Sequence, residues 1–226
     1  MPRDAYVELE QYFEHLSLKS GDILHSPGAE IRDLYFPLNA LISITVTMRD
    51  GRTAETGVVG CREVVGINAF MGGRETTQTE YIVQAAGQAI RVPARPLLQL
   101  FDRHKGVRDL LLMATQAMIA QVTQNAACNG LHDIEHRFAR WLLEVHDRVG
   151  SDELRTTQEF ISEMLGVRRA GITEVAQRYV NRGIIRTTHG RTTIVDRAAL
   201  EAAACECYSV LIGEFKRLLE TGELPP

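Results

Sequence analysis

The 226-residue chain lacks any long hydrophobic run. No stretch approaches the roughly 18–20 uninterrupted apolar residues that a membrane helix needs. The opening segment MPRDAYVELEQYF is acidic and amphipathic, without the apolar core of a secretory signal. Both absences imply a cytoplasmic protein with no membrane partner. Paired CxxC motifs are missing too. The four cysteines stand at 61, 128, 205 and 207, and a cytoplasmic chain keeps them reduced. Cys205-Glu206-Cys207 offers two soft ligands, but no nearby His or Cys completes a tetrahedral set, so no metal site and no cofactor are expected. His25, Asp33, Glu55 and Glu63 show no triad order, P-loop or metal spacing, which speaks against an enzyme.

A net positive charge is also absent. Lys and Arg number 25 against 29 Asp and Glu, a formal charge of −4, and at face value this argues against a nucleic-acid partner. The distribution reverses that reading. The 26-residue window from Gly166 to Arg191 holds Arg168, Arg169, Arg178, Arg182, Arg186 and Arg191 against the single acid Glu174, or +5. The remainder, with 19 basic and 28 acidic residues, carries −9. Arginine without lysine suits phosphate and guanine edges, because the guanidinium is a planar fork of donors. With 45% apolar and 24% charged residues, the chain is that of an ordinary globular protein, long enough for one large or two small domains.

Three textures follow one another. Residues 5 to 16 place Tyr6, Leu9, Tyr12, Phe13 and Leu16 at helical spacing. From about 18 to 93, short strands at 23–24, 33–36, 41–47, 55–59, 81–83 and 89–92 are split by turn residues, the pattern of an antiparallel sandwich or barrel. Asp50-Gly51 is a strong hairpin signal among them. Beyond Pro93 a short helix is expected at 96–101, a long one at about 106–129, and a third from Leu131 to Val149. In the long helix Leu111, Ala114, Met118, Val122 and Asn125 form a narrow stripe like a coiled-coil seam. Met113, Ala117 and Ala120 supply a second apolar side, so the helix can pack on its own domain and on a twin.

Thr156 to Ile185 carries the most information. Thr157 caps a helix that buries Phe160, Ile161, Met164 and Leu165, and Gly166 suits the left-handed corner of a helix-turn-helix. A second helix turns Ile172, Val175, Ala176 and Tyr179 inward. It leaves Arg168, Arg169, Thr173, Glu174, Gln177 and Arg178 for the major groove and its phosphates. A hairpin with His189-Gly190 at its tip follows as a wing, its Arg186, His189 and Arg191 set along the phosphates.

With these residues the chain resembles the Crp/Fnr family of bacterial transcription regulators over nearly all its length. Leu18-Lys19-Ser20-Gly21-Asp22-Ile23-Leu24 with Pro27-Gly28 is similar to the entry of the family's double-stranded β-roll. Gln158-Glu159-Phe160 with Leu165-Gly166-Val167-Arg168-Arg169 is similar to its helix-turn-helix. The resemblance implies an α+β fold: a jelly-roll-like sensor domain over 1–105, a dimerisation helix over 106–130, a winged helix-turn-helix over 131–208 and a helical tail over 209–226. It also implies a homodimer on palindromic double-stranded DNA, RNA polymerase as a partner, and a small-molecule effector as a possible regulator. Arg169 matches the family's guanine-reading arginine. Ala170 and Glu174 depart from the pattern, so the operator does not carry over.

The sensor departs further. Ile67, after Gly66, stands where the family's cyclic-nucleotide binders have a ribose-binding glutamate, and Thr79-Glu80 where they have Arg-Ser. An acid in place of the phosphate-binding arginine repels phosphate. Arg74, on the loop after Gly72-Gly73, is a candidate to reach in as a substitute. Cyclic AMP is therefore not the expected effector, and a dimer controlled by abundance alone fits equally well. No cysteine precedes Cys61 for an N-terminal iron–sulfur cluster. Pro2 has no His partner between His25 and His104 for haem. Cys61 beside Arg62 is read either as a reactive thiol or as a small buried hydrophobe. The alternative to a DNA-binding regulator is a ligand- or redox-sensing module whose helix-turn-helix contacts a protein.

Overall fold

The computed structural model describes residues 1, 3–61, 63–72, 76–188 and 190–220. Pro2, Arg62, Arg74 and His189 of the expectations above, and the last six residues of the tail, lie outside the described residues.

The chain opens with α1 (Arg3–Glu10), a shorter helix than the expected 5–16. Residues beyond it form β1 (Glu14–Leu18), which pairs antiparallel with β7 (Gly87–Pro93), Glu14 opposite Arg91 and Leu18 opposite Gly87. Leu16 is thus a strand residue. A local helical period yielded to a ladder with a partner about 75 residues away, a term invisible to periodicity.

The other sensor strands are β2 (Ile23–His25), β3 (Asp33–Pro37), β4 (Leu41–Thr47), β5 (Thr53–Val59) and β6 (Glu80–Ala85). They form two antiparallel sheets, one ordered β1-β7-β3 and the other β2-β6-β4-β5. Ile42, Ile44, Val59, Tyr81 and Val83 from one sheet share a core with Leu18 and Ala89 from the other, giving the expected β-roll. The Asp50-Gly51 hairpin joins β4 and β5, with Gly51 at φ +85° and Thr47 opposite Thr53.

Helix α2 (Ala94–Arg103) leads into α3 (Lys105–Leu131), whose 27 residues span roughly 40 Å. Gly130 does not end it. The break falls at His132, and Asp133 caps α4 (Ile134–Val149) by accepting from the His136 amide. The reading domain continues with β8 (Glu153–Leu154), α5 (Gln158–Met164), α6 (Arg169–Asn181), β9 (Ile185–Thr188) and β10 (Arg191–Ile194), then α7 (Arg197–Ala203) and α8 (Cys207–Phe215). The hairpin pairs Arg191 with Thr188 and Ile194 with Ile185, and β8 adds a third strand. Phe138, Leu142, Tyr179 and Leu200 centre this domain's core, which Leu41 and Val58 of the β-roll join. Helix α8 crosses the expected boundary at 208 and packs back on α3 and α4. Among the described residues no helix is long and apolar enough to cross a membrane.

Candidate nucleic-acid interface and hinge

The reading helix is built as its residue types require. Thr157 Oγ1 accepts the Phe160 amide at 3.1 Å, starting α5, and Gly166 takes φ +63° at the corner, a conformation that suits glycine. In α6 the residues Ile172, Val175, Ala176 and Tyr179 are buried. Arg168, Arg169, Thr173, Glu174, Gln177 and Arg178 are exposed together on the outer side. These side chains share the face of the reading helix opposite its buried residues. Arg186 and Arg191 are exposed on the wing strands.

Several of these side chains are held by weak surface contacts. Arg169 Nη1 lies 3.0 Å from Glu159 on α5, with both side chains more than half exposed. Thr173 donates to Gln158 at 2.8 Å, Arg178 to Glu135 at 3.0 Å, and Arg191 to Glu153 at 2.7 Å. Exposed pairs of this kind are worth at most about 1 kcal/mol, so a phosphate or base can displace the acid. The start of α6 also shares a cleft with the β-roll. Arg168, Arg169 and Gly166 line one wall and Met48, Arg52 and Glu80 the other.

Polar side chains tie α4 to the β-roll. Arg148 of α4 makes a two-pronged contact with Glu63, at 2.8 and 3.2 Å. Burial opposes the charge of Arg148, but the carboxylates of Glu63, Glu144 and Asp147 together more than offset it and hold the guanidinium above its ordinary pKa. A Cβ at Gly60 would come within 2.5 Å of the Arg148 side chain, so this close approach needs glycine. Trp141 Nε1 donates to Glu55 Oε1 at 2.9 Å, while Glu55 Oε2 is enclosed without a partner. Burial pushes the Glu55 carboxyl up to about 7, against the nearby Ser43 hydroxyl and the Trp141 hydrogen bond. Sequence reasoning grouped Glu55 and Glu63 only as unconnected acids. Their buried arginine and tryptophan partners lie 85 or more residues away, and nothing local marks them.

The expected dimer stripe divides. Leu111 is buried in the protomer's own core, with Ala114 and Met118 packed against it. Asn125 donates to the Thr56 carbonyl at 3.0 Å and accepts from Arg140, while Ala117 of the second side is 1% exposed. Only Val122 of the stripe remains exposed, beside Leu112 and Ile119. The β-roll and α4 both pack on α3, and a seven-residue pattern cannot say which stripe they take.

Ile67 is buried in the core next to α2, after Gly66 at φ +94°. Thr79 bonds to Thr77 at 2.6 Å, and Glu80 lines the interdomain cleft on the opposite strand face from Tyr81, which sits in the roll's core. Cys61 is half-buried and borders a second cleft with Glu63, Arg148 and Arg197.

The reading that no His or Cys stands near Cys205 and Cys207 is corrected by the fold. Cys128 in the last turn of α3 and His132 at its C-cap meet both, and the four ligand atoms lie within 4.8 Å of one another. The i,i+4 spacing of Cys128 and His132 was the signal available in the sequence.

A two-sheet sensor roll, a long connecting helix and a winged helix-turn-helix with an exposed arginine face define a DNA-binding regulator. A family model for a Crp-like helix-turn-helix domain matches residues 136–203, and one for a cyclic nucleotide-binding domain matches residues 15–104. The chain belongs to the Crp/Fnr family of transcription regulators. No curated protein sequence matches it significantly. Solved structures share the fold at low identity. FixK2 from Bradyrhizobium japonicum superposes with a TM-score of 0.73 at 14% identity, covering 85% of this chain and 98% of that one. A putative Crp/Fnr-family transcriptional regulator from Eubacterium rectale gives 0.71 at 17%, covering 90% and 94%. A CRP-family regulator from Thermus thermophilus gives 0.69 at 19%, covering 84% and 96%.

Proposed function

We propose that the protein acts as a homodimer on a palindromic operator, with α6 of each protomer in successive major grooves roughly 34 Å apart. The observation that carries this reading is the continuous exposed face Arg168–Arg169–Thr173–Glu174–Gln177 over a fully buried apolar face. Arg169 reads a base edge, Arg168 and Arg178 hold the backbone, and Thr173, Glu174 and Gln177 tune sequence. Arg186, His189 and Arg191 of the wing follow the phosphates. Dimerisation runs along the exposed Leu112, Ile119 and Val122 of α3. It does not use the whole stripe from Leu111 to Asn125.

Regulation follows from how the reading domain is seated. The start of α6 faces the β4–β5 hairpin across a cleft, and the helical path breaks at His132–Asp133. Rotation there moves both α6 helices relative to the roll, and the Glu63–Arg148 pair links that motion to the sensor turn. The buried Ile67 and the outward Glu80 support an effector other than cyclic AMP, or none. Recruitment of RNA polymerase belongs to the same reading.

The test is a mobility shift on operators found by genome-wide footprinting, with light scattering for oligomeric state. Arg169→Ala is expected to weaken specific binding while remaining a dimer, and unchanged operator affinity would remove Arg169 from its role. Binding that weakens steeply with salt marks a DNA contact. Salt-independent capture of a protein instead supports the interaction module.

A further inference from the structure

The cysteine cluster at the hinge is arranged as a metal site. We propose that Cys128, His132, Cys205 and Cys207 bind one Zn²⁺ per chain in a Cys₃His tetrahedron that ties the end of α3 to the α7–α8 junction.

The distances fit a single small ion. Cys128 Sγ lies 3.5 Å from Cys205 Sγ, and Cys207 Sγ lies 3.5 Å from His132 Nδ1. With Zn–S near 2.3 Å and Zn–N near 2.0–2.1 Å, a tetrahedron has S···S edges of about 3.8 Å and S···N edges of about 3.5 Å. All four atoms already fall within 4.8 Å. That is too tight for a polynuclear iron–sulfur cluster, whose ligand sulfurs must enclose several iron and sulfide ions.

The surroundings fit as well. His132 presents Nδ1 to the cluster, and its Nε2 lies 3.3 Å from the Glu206 carboxylate. A carboxylate on the second nitrogen fixes the tautomer and orientation of a ligating imidazole. Gln124 Nε2 donates to Cys207 Sγ at 3.0 Å, a contact that strengthens when the sulfur is a thiolate. Three thiolates and a neutral imidazole on Zn²⁺ carry a net charge of −1. Arg140 acts electrostatically on all three cysteines and Arg137 on Cys128 and Cys205. Both guanidinium groups keep an enclosed Nε without a hydrogen-bond partner. The cysteines form a cluster of their own, 0%, 6% and 1% exposed. On binding, three thiol protons leave to solvent and no electrons move.

The four ligands join the end of α3 to the α7–α8 junction, on either side of the break that precedes α4, so the ion stiffens the joint about which the reading domain turns. That consequence rests on the proposed DNA-binding mechanism, whereas metal binding itself does not.

The full-length protein, expressed with zinc supplementation and purified under reducing conditions, is measured by elemental mass spectrometry. One zinc per chain is expected. Replacement by Co²⁺ is expected to give the absorption bands of tetrahedral thiolate coordination. Cys207→Ser is expected to lower zinc affinity at least 100-fold. Glu206→Gln changes an exposed side chain that does not ligate the metal, and is expected to lower it about 10–100-fold in a folded protein. Cys61→Ser, outside the cluster, leaves the content unchanged. Substoichiometric zinc with four free thiols overturns the proposal, as does a Cys128–Cys205 disulfide or an iron–sulfur spectrum. If zinc binds and its removal leaves operator affinity unchanged, the site stands and only its role in the hinge falls.

Discussion

The arginines of α6 and the wing and those of α4 are the same residue type put to opposite uses. Arg169, Arg186 and Arg191 are exposed, and the acids paired with Arg169 and Arg191 also face solvent. Arg140 and Arg148 are buried, and both are paired with Glu144, Arg148 also with Glu63. An exposed cation with a weak partner is available to a ligand. A buried one is committed, because removing its partner leaves an uncompensated charge in a poorly solvated place. A count of charge along the chain treats the two groups alike.

Breaking the buried group has the largest expected effect. Arg148→Ala strands Glu63 and is expected to destabilise the fold by about 3–5 kcal/mol, read as a shift in the urea midpoint. Glu55, the acid beneath Trp141, sharpens the contrast through pH. Its carboxyl titrates near 7 in the folded protein and near 4.3 when unfolded. The folded state therefore binds the extra proton between those values, and stability falls as pH rises from about 4.3 to about 7. Glu55→Gln is expected to flatten that slope and to raise stability at pH 8 by on the order of 3 kcal/mol. An unchanged slope in denaturation curves from pH 5 to 8 would refute the assignment.

The exposed group responds in binding and not in folding. Arg169→Ala is expected to cost about 1–3 kcal/mol of operator binding, with the urea midpoint unmoved. Arg186→Ala is the mildest. It weakens binding evenly across sequences and reduces the slope of log K against log salt by about 1. Equal stability losses for Arg148→Ala and Arg169→Ala would collapse the distinction between the two groups.

Much of the reading domain was legible because its signals are local. Thr157 as a cap, Gly166 as a corner and the Ile172–Val175–Ala176–Tyr179 face each follow from residues within a turn or two. The Asp50-Gly51 hairpin was legible for the same reason. What the sequence left undecided has the opposite property. Strand β1 depends on a ladder to β7, the α3 stripe depends on which side the roll covers, and Glu80 depends on which sheet face meets the reading domain. The cysteine cluster joins residues 77 positions apart across a helix break.

The sequence by itself determined an antiparallel sandwich or barrel and the winged helix-turn-helix, through turn residues, caps and periodicity; its resemblance to the Crp/Fnr family implied the β-roll, and charge located the exposed arginines. Tertiary structure alone decided which arginines are buried, which face of α3 is free, and that three cysteines and a histidine meet at the hinge. Burial and ligand geometry are sums over chain segments distant in sequence, so no local pattern encodes them.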